Sequence, residues 1–227
     1  GSGIRSHSNS SRAAKDRNHP RLCLFRGSGA SDHPRKPAQV FISANSLWMD
    51  KVARQRGLAV ITRRTLCGNA LVLAAPRDSP IKLDLTPGVD LAGALKGGRL
   101  VTADPAHAPL GQYAEAALRR LGAWSGIEAR LLRVADAAQA RVLVERGAAA
   151  AGILYASDIA GNARLRTIAQ FPPTLSPPAL YEIAVVRSPA EVEDSGAARA
   201  FVEWMLGYQG QAIFARHGFV PARDMRH

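Results

Sequence analysis

No run of 18 or more apolar residues occurs in the 227-residue sequence, so no segment reads as a membrane-spanning helix. The first 39 residues also lack the apolar stretch of a secretory signal. An exported protein is expected to carry that signal outside this sequence, and Gly1-Ser2-Gly3 without a methionine reads as a fragment or a tag scar. Cysteine is scarce. Cys23 and Cys67 are the only two, with no CxxC spacing and no nearby His pair, so no metal site is expected. A Cys23–Cys67 disulfide in an oxidising compartment stays open beside the simpler reading of Cys67 as a small buried residue. HExxH, GxGxxG and an ordered Ser/His/Asp set are missing too, which removes common enzyme signatures. Acidic residues are outnumbered, 18 against 30 Lys and Arg.

What is present is unevenly arranged. Residues 1–39 hold eight basic and two acidic residues, a surplus of six and thus half of the formal +12. Such charge favours anionic partners. The segment has no apolar periodicity, however, and lacks interleaved aromatics or a reader module, so it reads as a solvated tail and nucleic-acid binding is not expected.

Near Val40 the pattern becomes orderly. Val40–Ser43, Ala59–Thr62 and Asn69–Ala75 read as strands, the last ending at Pro76, and Leu47–Gln55 reads as a helix capped by Asn45 or Ser46. A short helix is expected over Asp90–Leu95. Then strands Arg99–Thr102, Ala129–Arg133 and Ala151–Tyr155 alternate with helices Leu110–Leu121 and Ala137–Arg146, which stop at Gly122 and Gly147. Strand Tyr181–Arg187 and helices Glu191–Tyr208 and Gly210–His217 close the chain. The alternation predicts an α/β fold, rich in parallel strands with crossover helices.

In such sheets ligands sit beyond the carboxyl ends of the strands, where the following helices present unpaired amides and a partial positive charge. Two loops have this form. Asp104–Gly111 opens a helix at Leu110, with Pro109 preset for helix entry; Val134–Ala137 opens one at Ala137, with Asp136 read as the N-cap. Gly111 leaves room for a ligand at the backbone, and Tyr155 at the end of a strand offers a hydroxyl to the same place. A helix start of this kind suits an anion. His107 reads as a surface or packing residue.

The run Val40-Phe41-Ile42-Ser43-Ala44-Asn45-Ser46-Leu47-Trp48-Met49-Asp50 resembles the FISA…WMD signature of periplasmic molybdate-binding proteins of ABC transporters. Arg64–Asn69, Gly97–Leu100, Asp104–Pro109, Leu121–Trp124, Leu143–Arg146, Gly152–Asp158 and Phe214–Phe219 resemble further motifs of that family, in family order. The likeness covers residues 37–227. It implies a two-lobed, type II periplasmic-binding-protein fold: residues 1–36 as a basic non-family segment, 37–77 with 183–227 as lobe one, and 78–182 as lobe two. Lobe one is expected to be incomplete.

The resemblance implies a molybdate or tungstate ligand in the interlobe cleft, held by hydroxyls and amides rather than cations, and no other cofactor. Carried over by position, the contacts are the amides of Leu110 and Ala137 and the Tyr155 hydroxyl. Leu110 stands where the family commonly has Ala, and its larger side chain is expected to crowd the cleft. Two serine contacts of the family have no counterpart upstream, where Ser28 is the one Gly-flanked candidate, so weak or absent binding is expected. The resemblance further implies a periplasmic, non-enzymatic monomer that delivers its ligand to an ABC transporter permease. The alternative is a ligand-sensing or sulfate-like oxyanion domain on the same fold.

Overall fold

A computed structural model describes residues 39–44, 46–54, 59–187 and 196–225, without the side chains of Leu47 and Trp48. The basic segment with Cys23 and Ser28, the Asn45 cap, Gln55 and residues 191–195 lie outside the described residues.

The elements run β1 (Val40–Ser43), α1 (Ser46–Arg54), β2 (Ala59–Asn69), β3 (Leu71–Pro76), α2 (Leu91–Ala94), β4 (Leu100–Ala103), α3 (Pro109–Arg120) and α4 (Trp124–Ile127). There follow β5 (Leu131–Val134), α5 (Ala137–Glu145), β6 (Ala151–Tyr155), α6 (Ala156–Ile159), β7 (Leu165–Gln170), β8 (Ala179–Arg187), α7 (Gly196–Leu206), α8 (Tyr208–Arg216) and β9 (Val220–Pro221). They form two sheets, a four-stranded one in the order β1-β8-β2-β9 and a five-stranded one in the order β5-β4-β6-β3-β7. The α/β class expected from the sequence is the observed one. Parallel pairing joins β4 to β5 and β6, the three strands of the βα alternation. β3 runs antiparallel to β6 and β7, and the described pairings of the four-stranded sheet are antiparallel.

Burial explains the arrangement. All four residues of β4 are buried, as a central strand covered on both faces requires. Leu73, Leu100, Leu118, Leu121, Ile127, Ile153 and Leu154 belong to one large cluster around the five-stranded sheet. The four-stranded sheet carries a smaller cluster on each face. Ile183 and Val185 of β8 join Val40, Leu66 and Cys67 under Ala198 and Val202 of α7, whereas Ala184 and Val186 join Phe41 and Met49. That split is the two-residue period of a strand.

β2 is much longer than Ala59–Thr62. Its middle, Arg63–Thr65, is exposed, and the register slips at Val60/Thr62 and again at Thr65/Cys67. Bulges of this kind break the alternation that marks a strand in sequence. A single residue, Ala70, then separates β2 from β3 in the other sheet. Sheet membership therefore changes at Ala70 and again before Ala179.

Cys67 is 1% exposed, and burial pushes its thiol up to about 12 from the usual 9.0. The thiolate is the reactive form. In the folded protein Cys67 will therefore resist iodoacetamide at pH 8 and react at the rate of a free thiol in urea. Folded-state alkylation at that free rate would contradict the burial. The raised value also makes stability fall as pH climbs above 9.0, where only the unfolded thiol ionises.

Candidate functional site

The candidate residues Leu110, Ala137 and Tyr155 follow or end β4, β5 and β6, three neighbours in one sheet. β4 and β5 end together, with Ala103 opposite Val134, and the next amide, Asp104 N, donates to Val134 O at 2.7 Å. That bond ties the two outgoing loops where they leave the sheet.

In α3, Pro109 occupies the first helical position and Ala108 supplies no side-chain cap. The first backbone bond of the helix runs from Gln112 N to Ala108 O, 3.2 Å. The amides of Leu110 and Gly111 precede it and have no acceptor within the helix. The Leu110 side chain is 2% exposed and sits in the large core cluster, so it does not crowd the cleft as its size suggested. Helix geometry separates the amide, which faces outward along the axis, from the side chain, which faces the sheet.

Gly111 also has a packing reason. A Cβ there would lie 2.2 Å from Ala103 O, 2.5 Å from Pro105 N and 2.6 Å from the Asp104 carbonyl carbon. The helix is packed on the backbone of its own entry loop, and glycine makes room for that loop. Asp104 is occupied locally, its carboxylate accepting from Ala106 N at 2.9 Å, and His107 is exposed.

In α5, Asp136 is the N-cap in extended conformation (φ −155°, ψ 173°), and its carboxylate accepts from Gln139 N at 2.8 Å. Its charge is spent on its own helix, while the amides of Ala137 and Ala138 have no intrahelical acceptor.

Tyr155 ends β6 and leads into α6. It pairs with Leu71, its amide donates to Asp158 Oδ2 at 3.3 Å, and Ala156 N donates to Ala70 O at 2.9 Å. Burial raises the Tyr155 phenol well above its usual 10.0, and the nearby Tyr181, Tyr113 and Asp158 raise it further. Burial likewise raises Tyr181, against a hydrogen bond with Asn69 that lowers it. Both phenols therefore keep their protons at neutral pH and can act as donors. Burial raises the Asp158 carboxyl too, offset by the Tyr155 amide and by Arg141.

Tyr155 and α3 belong to the five-stranded sheet, Tyr181 to the four-stranded one. The sequence reading did not anticipate Tyr181, Tyr113 or the buried Asn69, since their proximity depends on how the two sheets meet.

A cavity of about 480 Å³ lies elsewhere, among Arg64, Thr65, Leu180, Tyr208 and Arg223. Gln211 in its wall is fully used, donating to Leu66 O and Met205 O and accepting from Ala222 N. The cavity has the volume for a ligand, but the loops at Leu110, Ala137 and Tyr155 have the donor chemistry. Among the described residues no three His, Cys, Asp or Glu side chains gather as a metal site, and no helix is long and apolar enough to cross a membrane.

The sequence profile for bacterial extracellular solute-binding proteins matches residues 29–220. The chain belongs to that family. The molybdate-binding protein ModA of Escherichia coli is 38% identical over 185 residues, covering 81% of this solute-binding protein and 70% of the relative. Its counterpart in Haemophilus influenzae is 34% identical over 184 residues, with the same coverage of both chains. Among solved structures, one described as the substrate-binding domain of a molybdenum ABC transporter from Clostridium difficile superposes with a TM-score of 0.68 at 26% identity. That match covers 81% of this chain and 77% of the other.

Proposed function

We propose that the protein binds a tetrahedral oxyanion, molybdate or tungstate, in a cleft between two lobes and hands it to the permease of an ABC transporter. In this reading one lobe comprises the segments of the four-stranded sheet, 39–69 and 179–225, and the other residues 70–178. The observation that carries it is the convergence of neutral donors on adjacent strand ends: the amides at Leu110 and Ala137 and the protonated hydroxyl of Tyr155. Neutral donors replace the hydration shell of a dianion without a counter-ion, and helix starts add favourable dipoles. The names of the two curated relatives support molybdate as the first ligand to try. The protein acts in the periplasm, as a monomer, and its activity is binding rather than catalysis.

Two serine donors that the resemblance implies are not among these donors, so binding is expected to be weak. A sub-micromolar calorimetric dissociation constant would show that other donors complete the site.

Thermal unfolding with molybdate, tungstate, sulfate or phosphate tests the ligand. At 100 times its dissociation constant a specific ligand adds about 2.7 kcal/mol, which raises Tm by about 5–10 °C in a protein of this size. Molybdate or tungstate should do so and phosphate should not. An equal rise with sulfate would favour a sulfate-like oxyanion domain, and no rise with any anion would remove the binding reading.

A further inference from the structure

Asn69 is the last residue of β2 and is 1% exposed. A buried side-chain amide needs partners, because an unpaired one costs about 1–3 kcal/mol. Asn69 finds them far along the chain. Its Nδ2 donates to Ser157 Oγ at 2.9 Å and its Oδ1 accepts from Ser157 N at 3.4 Å. Ser157 belongs to the first turn of α6, two residues after Tyr155, whereas Asn69 ends a strand of the other sheet. One residue further on, Ala70 O accepts from Ala156 N at 2.9 Å. The crossing between the sheets is thus stitched to the turn that carries Tyr155.

The same turn is pressed from another side. Gly218, between α8 and β9, lies so close that a Cβ would stand 2.7 Å from Ala156 O and 2.9 Å from Ala160 Cβ. Phe219 then meets Tyr181 edge-on, with ring centroids 5.5 Å apart. Two segments of the four-stranded half therefore hold the first turn of α6. A strand-end asparagine with a local duty would bond its own neighbours; this one bonds a residue 88 positions away in the other half.

We infer that Asn69 is a positioning residue for the oxyanion cleft: its amide locks the Tyr155–Ser157 turn to the end of β2 and so fixes where the Tyr155 hydroxyl points. This rests on the binding reading above for its consequence, though not for its geometry. Asn69 touches no ligand in this scheme and acts through Tyr155.

The test combines Asn69→Ala, Asn69→Asp and Tyr155→Phe in the full chain, with molybdate as the probe. Asn69→Ala should weaken molybdate binding at least tenfold. In that background Tyr155→Phe should add less than a threefold loss, although alone it costs tenfold or more. Two losses that multiply would overturn the inference, since independent effects add in free energy. Without ligand, Asn69→Ala should speed hydrogen exchange of the Ser157 amide at least tenfold while Val101 in β4 exchanges as before. Asn69→Asp should restore that protection, because a carboxylate accepts from the Ser157 amide and the serine hydroxyl turns to donate. Unchanged exchange at Ser157, or equal acceleration at Val101, would overturn the proposal. If the unaltered protein binds no molybdate, the binding reading fails and the exchange experiment alone decides the role of Asn69.

Discussion

Gly111→Ala will destabilise the protein by about 3 kcal/mol, although alanine is ordinarily the better helix residue by about 1 kcal/mol. The added Cβ meets backbone in three places, at Ala103 O, Pro105 N and Asp104 C, all within 2.6 Å. A flexible side chain would swing away from such a clash, but this loop cannot. Its residue Asp104 is hydrogen-bonded to Val134 O, and β4 is buried between β5 and β6. Either α3 lifts from the sheet or the loop tears from β5. Gly126 in α4 is the control, since a Cβ there has nothing within 4 Å. Gly126→Ala should be neutral or stabilise by up to about 1 kcal/mol. Urea unfolding at unchanged slope reads both values. A Gly111→Ala midpoint equal to that of the parent would mean the loop does not pack as described.

Ala137→Pro should abolish most of the oxyanion affinity and leave the fold intact. Ala137 is the first residue of α5, where proline fits and where no intrahelical acceptor loses a partner. The preceding Asp136 is already extended, as a residue before proline must be. Stability should therefore stay within about 0.5 kcal/mol of the parent. In the proposed site, binding loses one amide donor to the anion, and a hydrogen bond to a charged group is worth about 1.5–3 kcal/mol, or roughly 10- to 150-fold. Ala137→Gly provides the opposite case: it keeps the amide and the affinity but weakens the helix by up to about 1 kcal/mol. Calorimetric titration and thermal unfolding of both variants separate the two effects. Full affinity in the proline variant would remove the Ala137 amide from the proposed site.

Much of the fold was legible because it is written in local signals. The strands Val40–Ser43 and Ala151–Tyr155 lie where their apolar runs placed them. Helices α3 and α5 end ahead of Gly122 and Gly147, whose positive φ values of 75° and 69° suit the residue that closes a helix. The helix starts at Pro109 and Asp136 were equally plain, since proline entry and aspartate capping act within a few residues. β7 was missed because only Leu165 of its six residues is buried, so an edge strand leaves little pattern. The extent of β2 was hidden by its two bulges and exposed middle.

The sequence by itself thus determined the α/β class and the βα alternation, because caps, glycine stops and apolar periods are short-range, and its resemblance to a family named Leu110, Ala137 and Tyr155 as donors to test. Only the tertiary structure decided where the chain changes sheet, where the Leu110 side chain goes and why position 111 must be glycine. It alone brought Asn69 to Ser157 and Phe219 to Tyr181. Those facts arise from contacts between segments far apart in the chain, and a buried polar group reveals its partner only when both have been brought together out of water.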